Sequence, residues 1–377
     1  MPFAPSRYLW PLAALLTLAG PVAAQDVIKV GEVASMTGKD AAFGQSSHKG
    51  TIFAIEELNA GGGVLGRQLD LVTEDNQCKQ GESATAARKL ISRDKVVALL
   101  GEIASSRSLE MAPIAQASHI PMISPGSTNP RVTTIGNYVF RVCFIDPFQG
   151  TVMAKFARNT LKLQRVALLT SVSSAYSVGL AKYFKEVFVR GGGAIALQQT
   201  YAEGEKDFKA QLTVIKAAGV DGIFVPGYYT EAALICLQAR ELGLAVPIFG
   251  GDGWDSPPLI EIGGQAVEGT YYSDHYSATN TAPVVQDFVR KFRVRWGGET
   301  PDAMAALGYD SAMVLADALR RAGTTAAPQL RDAIAATKDY PGVTGTTTID
   351  AERNASKAAT IFEVKGGQSV FVESIAP

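Results

Sequence analysis

Short apolar segments and amphipathic helical segments alternate along almost the whole of this 377-residue chain. Segments such as 27–33, 166–170 and 222–225 have the composition of buried strands, and stretches such as 46–59 and 208–217 have the apolar period of a helix. This alternation predicts βαβ units, which form mainly parallel sheets with right-handed crossovers. Because the strands are too many for one small sheet, we predict an α/β fold of two doubly wound lobes.

The first 24 residues have the features of a secretory signal peptide. Arg7 gives a weakly positive start, residues 9–18 form an apolar run, and the small residues 21–24 offer a cleavage site. Since the apolar run is too short to span a bilayer, we predict cleavage after Ala24 and export of the remaining chain. No Cys directly follows this site, so we do not expect a lipid anchor.

Composition limits the classes of partner. The formal net charge is −1 and the pI is near 6.4, so neither nucleic acid nor an anionic membrane surface is an expected partner. Neither charge nor composition indicates an obligate interface, and we therefore expect a monomer.

Two turns rich in small hydroxyl residues follow neighbouring strands. The first lies in 101–108, where Ser105 opens a helical segment, and the second lies in 121–130 and contains Ser127 and Thr128. Ser and Thr at such turns cap the following helix, and free N–H groups at a helix start bind small anions such as carboxylates. Helix capping alone is the simpler interpretation of one turn. Two turns in tandem favour a ligand site at the carboxyl ends of the strands.

Three later turns occupy the same kind of position in the second half of the chain. They place Tyr176, Tyr228 and Asp252 after predicted strands. Opposite Ser105 and Thr128, these side chains would complete a site for a zwitterion, because hydroxyl and N–H groups bind a carboxylate and Asp252 binds an ammonium group. The alternative for Asp252, which lies between glycines, is a structural role in an Asx-turn.

Other motifs give no evidence of catalysis or of a cofactor. Residues 61–66 match G-x-G-x-x-G, but they follow a helix and precede a strand, which is typical of a turn and wrong for a dinucleotide site. The three histidines are scattered without metal-ligand spacing. We expect no metal, no cofactor and no enzymatic activity. Cys236 has the surroundings of a buried free thiol, and a disulfide between Cys78 and Cys143 stays an open alternative.

A series of short motifs extends over nearly all of the chain after residue 27. Besides the two hydroxyl-rich turns, it comprises 28–31, 36–38, 43–44, 63–66, 74–76, 140–143, 146, 149–150, 204–208, 308–310 and 349–350. In order and spacing, the series resembles that of the periplasmic branched-chain amino acid binding proteins, the solute receptors of ABC importers. The resemblance implies a type I periplasmic binding fold, in which three crossovers join two lobes that close on a ligand by a hinge.

The resemblance also implies where the lobes divide and which residues bind the ligand. Lobe 1 would comprise 26–144 and 276–346, and lobe 2 would comprise 145–275 and 347–377. Ser105 and Thr128 would bind the ligand carboxylate. The Gly126 carbonyl, Thr128 and Asp252 would bind the ammonium group. The remaining predicted site residues are the lobe 2 closers Tyr176 and Tyr228, the side-chain neighbours Phe43 and Ala104, and the nearby Ser127 and Trp254.

The chain departs from the pattern of these proteins at three of these positions. Asp252 stands where a longer Glu is frequent, Phe43 stands where Tyr is frequent, and Ala104 stands where some relatives have a cysteine that pairs with the Cys78 position. These differences leave the general amino acid site intact and leave the preferred side chain open.

The sequence therefore predicts a periplasmic receptor that captures an amino acid, with Leu, Ile and Val as the leading ligands, and delivers it to an ABC permease. A receptor of the same fold for an amide, urea or an aromatic acid is the alternative. A secreted two-lobe enzyme is a third, weaker hypothesis, and a sensory role is not separable from transport at this level.

Overall fold

The computed structural model describes residues 1–4 and 27–377. The predicted cleavage site after Ala24, with most of the predicted signal peptide, lies outside the described residues. The strands are β1 (Ile28–Ala34), β2 (Leu69–Asp75), β3 (Ala98–Leu100), β4 (Met122–Ser124), β5 (Val139–Arg141), β6 (Arg165–Ser171), β7 (Ala194–Tyr201), β8 (Gly222–Val225), β9 (Ile248–Gly250), β10 (Tyr271–Asp274), β11 (Tyr340–Gly342), β12 (Gly345–Thr347), β13 (Ala359–Lys365) and β14 (Gln368–Ile375).

Helices connect most of these strands. The α-helices are α1 (Ala41–Ala60), α2 (Glu82–Lys89), α3 (Ser105–Ala117), α4 (Arg131–Thr134), α5 (Asp146–Asn159), α6 (Ala175–Arg190), α7 (Lys209–Ala217), α8 (Tyr229–Glu241), α9 (Pro257–Gly263), α10 (Pro283–Arg295), α11 (Ala303–Ala322) and α12 (Ala327–Ala335). A short 3₁₀ turn, Asp252–Trp254, follows β9.

Two sheets form the centres of two lobes. The first has five parallel strands in the order β2-β1-β3-β4-β5. The second has the order β14-β13-β10-β9-β8-β6-β7, in which β13 runs antiparallel to both of its neighbours, β10 and β14, and the other pairs are parallel. A separate two-strand sheet pairs β11 with β12. The predicted two-lobe α/β fold is confirmed.

The chain passes between the two sheets three times, after β5, after β10 and between β12 and β13. Helix α11, which follows the second passage, packs against α1 and thus belongs with the five-stranded sheet. The three crossovers are those that the resemblance implies. The boundaries at 144/145, 275/276 and 346/347 stay a prediction.

Helix α1 begins at Ala41, whereas the sequence predicts a helix over 46–59. The extra turn is packed rather than exposed, because Phe43 is buried and Gly44 lies against the backbone of Ser35. A Cβ at residue 44 would come within 2.1 Å of the Ser35 carbonyl oxygen, so only glycine permits this contact. The missed turn is therefore a consequence of tertiary packing.

All three cysteines are buried free thiols, so Cys78 and Cys143 form no disulfide in this structure. The Cys143 Sγ lies 3.4 Å from the Ser127 carbonyl oxygen, and burial raises the pKa of the Cys143 and Cys236 thiols to about 12. Within residues 1–4 and 27–377, the helices are too short or too polar to cross a membrane, and no cluster of His, Cys, Asp and Glu side chains could hold a metal ion.

One ion pair links the first strand to the first helix. His48 Nδ1 lies 2.6 Å from Glu32 Oε2, which also accepts a hydrogen bond from the Thr73 hydroxyl. The hydrogen bond to Glu32 raises the pKa of His48 above its ordinary value of 6.5. Because the pKa of His48 is higher in the folded state than in the unfolded state, the pair contributes its full stabilisation at pH values below the unfolded-state pKa.

We predict that the stabilising effect of His48 is lost with rising pH. Relative to His48→Gln, the wild-type free energy of unfolding should be higher by roughly 0.2–1 kcal/mol below pH 6.5, the range for a partly exposed pair, and should lose this advantage as the pH rises through the folded-state pKa of His48. Denaturant titrations of both proteins across this range measure the difference. An advantage that increases with pH would contradict the assignment.

Candidate functional site

A small enclosed cavity lies between the lobes, at the carboxyl ends of strands from both sheets. Its volume is about 10 Å³, which is about the space that one water molecule needs. The residues that line it are Phe43, Ile103, Ser105, Gly126, Tyr176, Tyr228, Asp252, Gly253 and Met304. The cavity therefore contains residues from both lobes and from both predicted halves of the zwitterion site.

A buried network around Glu102 joins the two hydroxyl-rich turns. The Glu102 carbonyl accepts hydrogen bonds from the hydroxyls of Ser108, Ser124 and Ser127 at 2.7–3.0 Å. Its carboxyl group accepts one from the Ser35 hydroxyl, and burial raises the pKa of this carboxyl. The network fixes the second turn against the first, so that both present the same edge to the cleft.

The first turn supplies the start of α3. Ser105 is the first residue of this 13-residue helix, and its Oγ accepts a hydrogen bond from the backbone N–H of Asn129 at 3.2 Å. Helix starts carry free N–H groups and a partial positive charge, which favour a carboxylate. Ser105 thus connects the two turns beside the cavity.

The second turn is held by a buried arginine. The Arg141 guanidinium donates hydrogen bonds to the carbonyls of Ser127 and Asn129, the latter at 2.8 Å, and is fully buried. Thr128, between these residues, is also buried, and its hydroxyl makes no hydrogen bond of normal distance and angle with the residues that the structure describes. The Thr128 hydroxyl is therefore available to a ligand apart from its approach to the Asp146 carboxyl.

Asp146 lies beside Thr128, next to the residues that line the cavity, and the sequence analysis assigned it no role. It is the first residue of α5, its N–H donates to the Thr128 carbonyl at 2.9 Å, and its carboxyl lies near enough to the Thr128 hydroxyl to interact with it. Neither carboxyl oxygen has a full hydrogen-bond partner among residues 27–377, and burial raises the pKa of Asp146 to about 8. An unpaired buried carboxyl is unfavourable when ionised, so this group favours a cationic neighbour.

Asp252 faces the first lobe from the opposite side. Its Oδ1 accepts a hydrogen bond from Gln149 Nε2 at 2.6 Å, and its Oδ2 lies 2.9 Å from His275 Nε2. These two partners fix the carboxyl plane, and the bulk of the side chain is buried. Asp252 is therefore more than a turn residue, because its carboxyl contacts two residues that are distant in sequence.

Aromatic side chains close the cavity. The Tyr176 and Tyr228 rings stack with centroids 5.3 Å apart, and Phe43 of the first lobe packs edge-on against Tyr228 at 5.6 Å. The Tyr176 hydroxyl accepts a hydrogen bond from Gly253 N–H, and burial raises its pKa well above 10. Both tyrosines therefore act as neutral walls of the site.

Polar contacts join the lobes on either side of the aromatic group. Lys39 Nζ lies 3.3 Å from Glu203, and the Lys39 carbonyl accepts a hydrogen bond from the Tyr229 hydroxyl at 3.2 Å. On the other side, Asn129 Nδ2 donates to the Ala175 carbonyl at 2.6 Å. The cleft is thus closed, and a solute much larger than water can enter only when the lobes separate.

Most of the predicted site residues line the cavity: Phe43, Ser105, Gly126, Tyr176, Tyr228 and Asp252. The others lie around it. Ser127 donates to Glu102, Thr128 lies beside Asp146, and the Ala104 N–H donates to the Glu102 carboxyl at 2.6 Å. The fully buried Trp254 donates to the Val225 carbonyl within lobe 2. Their roles toward a ligand stay predictions.

Several residues of the site carry no recognisable sequence signal. Ile103 and Met304 line the cavity, although Met304 lies in α11, far along the chain from the turns. Gln149 and His275 hold Asp252, and only Gln149 belongs to one of the motifs that carry the resemblance. The local sequence gives an indication only for Gln149. It is a polar residue near the start of α5, and such positions face the carboxyl ends of the strands.

Two lobes that close over a cavity with an acidic wall and a helix start define a two-lobed solute-binding protein. Residues 27–368 match the family model for periplasmic binding proteins. A Leu/Ile/Val-binding protein homolog 2 of Brucella abortus is 32% identical over 359 residues, 95% of either chain. A leucine-specific-binding protein of Salmonella typhimurium is 33% identical over 65% of this chain and 66% of its own.

Solved structures of similar proteins agree with this family assignment. The leucine-binding protein LivK of Thermotoga maritima is 42% identical, with a TM-score of 0.90 over 93% of this chain and 99% of its own. The substrate-binding protein LivJ of Streptococcus pneumoniae, solved in complex with isoleucine, is 33% identical, with a TM-score of 0.89 over 93% of this chain and 100% of its own. The chain belongs to the periplasmic binding protein family, and these relatives and solved structures are named for the branched-chain amino acids that they bind.

We predict that Asp146→Asn stabilises the protein increasingly as the pH rises. The pKa of about 8 in the folded state exceeds the ordinary 3.8, so the cost of ionising Asp146 grows between these two values. Relative to wild type, the free energy of unfolding of the variant should gain on the order of 2–4 kcal/mol from pH 4 to pH 8. Denaturant titrations without added solute test this, and a pH-independent difference would contradict it.

Proposed function

We propose that this chain is a periplasmic receptor that captures an amino acid, first of all Leu, Ile or Val, between its lobes and delivers it to an ABC permease. The observation that carries the proposal is the pairing, in one enclosed cavity, of the start of α3 at Ser105 with the buried carboxyl group of Asp252. A zwitterion has one charge for each of these groups.

The ligand carboxylate would lie at Ser105 and the Thr128 turn. Charge-assisted hydrogen bonds from hydroxyl and N–H groups are stronger than neutral ones. The ligand ammonium group would bind Asp252 and the Gly126 carbonyl, with the Asp146 carboxyl as a further acceptor. Asp146, unpaired and buried, supports this arrangement because a cation removes the cost of its ionisation.

The ligand side chain would contact the apolar part of the cavity wall. Phe43, Ile103 and Met304 are all buried and lie at the cavity. Burial of a Leu, Ile or Val side chain contributes about 1.5–3 kcal/mol. An apolar wall without a buried charge for the side chain favours these ligands over amino acids with charged side chains.

A receptor for an amide, urea or an aromatic acid on the same fold is the second candidate. A benzoate-bound solute-binding protein of R. palustris has the same fold, with a TM-score of 0.85 and 24% identity. Asp252 argues against this candidate, because a benzoate or other simple carboxylate would leave that buried carboxyl without a cation.

We further propose that the chain is exported with cleavage after Ala24 and acts as a monomer without a cofactor, as the sequence predicts. Its relatives are named as binding proteins rather than enzymes, which supports a cycle of capture and release without chemistry. A sensory role would use the same capture step.

A thermal-shift panel tests the proposed function. Protein that has been unfolded and refolded to remove carried-over solute is heated with each of the twenty amino acids, urea, short amides and benzoates. A ligand at 1,000 times its Kd stabilises the fold by about 4 kcal/mol, which gives a clear rise in Tm. We expect the largest rises with Leu, Ile and Val. A rise only with amides, urea or benzoates would refute the amino acid assignment.

Variants locate the site within this experiment. Asp252→Ala and Ser105→Ala should remain folded and weaken leucine binding by roughly 1–3 kcal/mol or more, because each removes a partner of a ligand charge. Ser92→Ala is the matched control, since its exposed hydroxyl donates to the Arg88 carbonyl and the residue does not line the cavity. It should leave the leucine affinity unchanged. Calorimetric affinities in the reverse order would contradict the assigned roles.

We predict that Gly126→Ala shifts the preference toward smaller amino acids. A Cβ at residue 126 would lie 3.2 Å from the Ile103 side chain and 3.6 Å from the Met304 sulfur. It would therefore narrow the space for the ligand side chain beside these two residues. Leucine binding should weaken by about 1–3 kcal/mol, and alanine or valine binding by less. Gly61→Ala, where a Cβ meets nothing closer than 3.5 Å, is the control and should leave all affinities unchanged. An equal loss for all ligands would contradict the prediction.

A further inference from the structure

His275 lies behind the predicted ammonium site, and nothing in the sequence analysis assigned it a role. Its side chain is fully buried, and its Nε2 lies 2.9 Å from Asp252 Oδ2. The ring stacks on Phe144 with centroids 3.7 Å apart and planes 27° from parallel. The imidazole is therefore fixed in position and orientation by one hydrogen bond and one ring contact.

The second ring nitrogen decides which proton the imidazole carries. Nδ1 is buried and has no hydrogen-bond partner among residues 1–4 and 27–377. A proton on Nδ1 would be a buried donor without an acceptor, which costs about 1–3 kcal/mol, whereas an unprotonated Nδ1 exposes only a lone pair. The hydrogen bond to Asp252 then requires the proton on Nε2, which makes the ring a neutral donor.

The other partner of Asp252 is also neutral. The Gln149 amide donates to Oδ1 at 2.6 Å and to the Ser273 hydroxyl at 3.0 Å. Asp252 is thus oriented on both oxygens by donors that carry no charge. A lysine or arginine in either place would cancel the carboxylate and repel an ammonium group.

Further carboxyl groups surround the imidazole. Asp274 is adjacent in the chain, and its Oδ1 accepts a hydrogen bond from the His275 N–H at 2.7 Å. Asp255, from the segment after the 3₁₀ turn, interacts with Asp274 and with the imidazole. Burial raises the pKa of both carboxyl groups, which favours their neutral forms. Of these three carboxyl groups, only that of Asp252 belongs to a residue that lines the cavity, so it is the one that a ligand ammonium group would meet.

We propose that His275 is a positioning residue, whose neutral Nε2–H tautomer orients Asp252 toward the ligand ammonium group without cancelling its charge. This inference rests on the proposed function, because it assigns Asp252 to an ammonium ligand. His275 also directly follows β10, where the chain leaves the second lobe. His275 is therefore part of a crossover, and its hydrogen bond to Asp252 depends on the position of that crossover.

Nitrogen NMR tests the tautomer independently of any ligand. The chain has three histidines, so the ¹⁵N ring signals of His275 are identified by their loss in His275→Gln. We expect a protonated Nε2 and a pyridine-like Nδ1 at about pH 7, before and after leucine is added. An imidazolium pattern, or a proton on Nδ1, would overturn the proposal even if leucine binds as expected.

Binding measurements test the positioning role. His275→Phe keeps a ring on Phe144 and removes the donor, so leucine affinity by calorimetry should fall roughly tenfold or more. His275→Gln returns an uncharged N–H donor and should bind within about threefold of wild type. His119→Phe replaces an exposed ring that contacts Tyr138 and should bind as wild type does.

The outcomes separate the two proposals. Wild-type protein that binds no amino acid would refute the proposed function, and the NMR result would still decide the tautomer. If His275→Phe binds leucine with wild-type affinity, or if His275→Gln loses as much affinity as His275→Phe, the positioning role is wrong and the proposed function is unaffected. If His275→Phe does not fold, His275→Gln and the wild-type NMR pattern decide the question.

Discussion

The site depends on the buried network around Glu102. Glu102 lies two residues after the end of β3, and its carbonyl and carboxyl groups accept hydrogen bonds from serines of three different segments. Each of these donors would be costly to bury without an acceptor. The network therefore fixes the turn after β4 against the turn after β3, and without it the start of α3 and the Thr128 turn would have no defined separation. Recognition of a carboxylate needs that separation, since its two oxygens are a fixed distance apart.

Charge is distributed unequally across the closed cleft. Arg141 donates its hydrogen bonds to backbone carbonyls of the second turn, and its charge interacts with Asp146 without a hydrogen bond between the two side chains. Asp252 has neutral partners and Asp146 has no full hydrogen-bond partner among the described residues. A zwitterion lowers the electrostatic free energy of such a site, because its ammonium group meets the acids while its carboxylate meets N–H groups. The same imbalance disfavours simple acids.

The sequence predicts the fold better than it predicts the site. Strand–helix alternation depends on local periodicity, and α3 begins at Ser105, as the hydroxyl-rich turn indicates. Strand ends of parallel sheets meet at one edge, so Asp252 and Tyr176 could be placed at the cleft from position alone. Met304 and His275 could not, because their approach depends on how α11 and a crossover pack against distant strands. Local pattern contains no information on such contacts.

The closed lobes make contacts of their own, which limits what a ligand must contribute. Lys39 pairs with Glu203, Asn129 donates to Ala175, and Phe43 packs on Tyr228 across the cleft. These contacts stabilise the closed arrangement whether or not a solute is present. A ligand shifts the equilibrium only by its difference in affinity for the closed and open forms. In the proposed site, a single lobe offers either the carboxylate partners or Asp252 but not both. A zwitterion would therefore gain its second set of hydrogen bonds only on closure, and this difference would select amino acids.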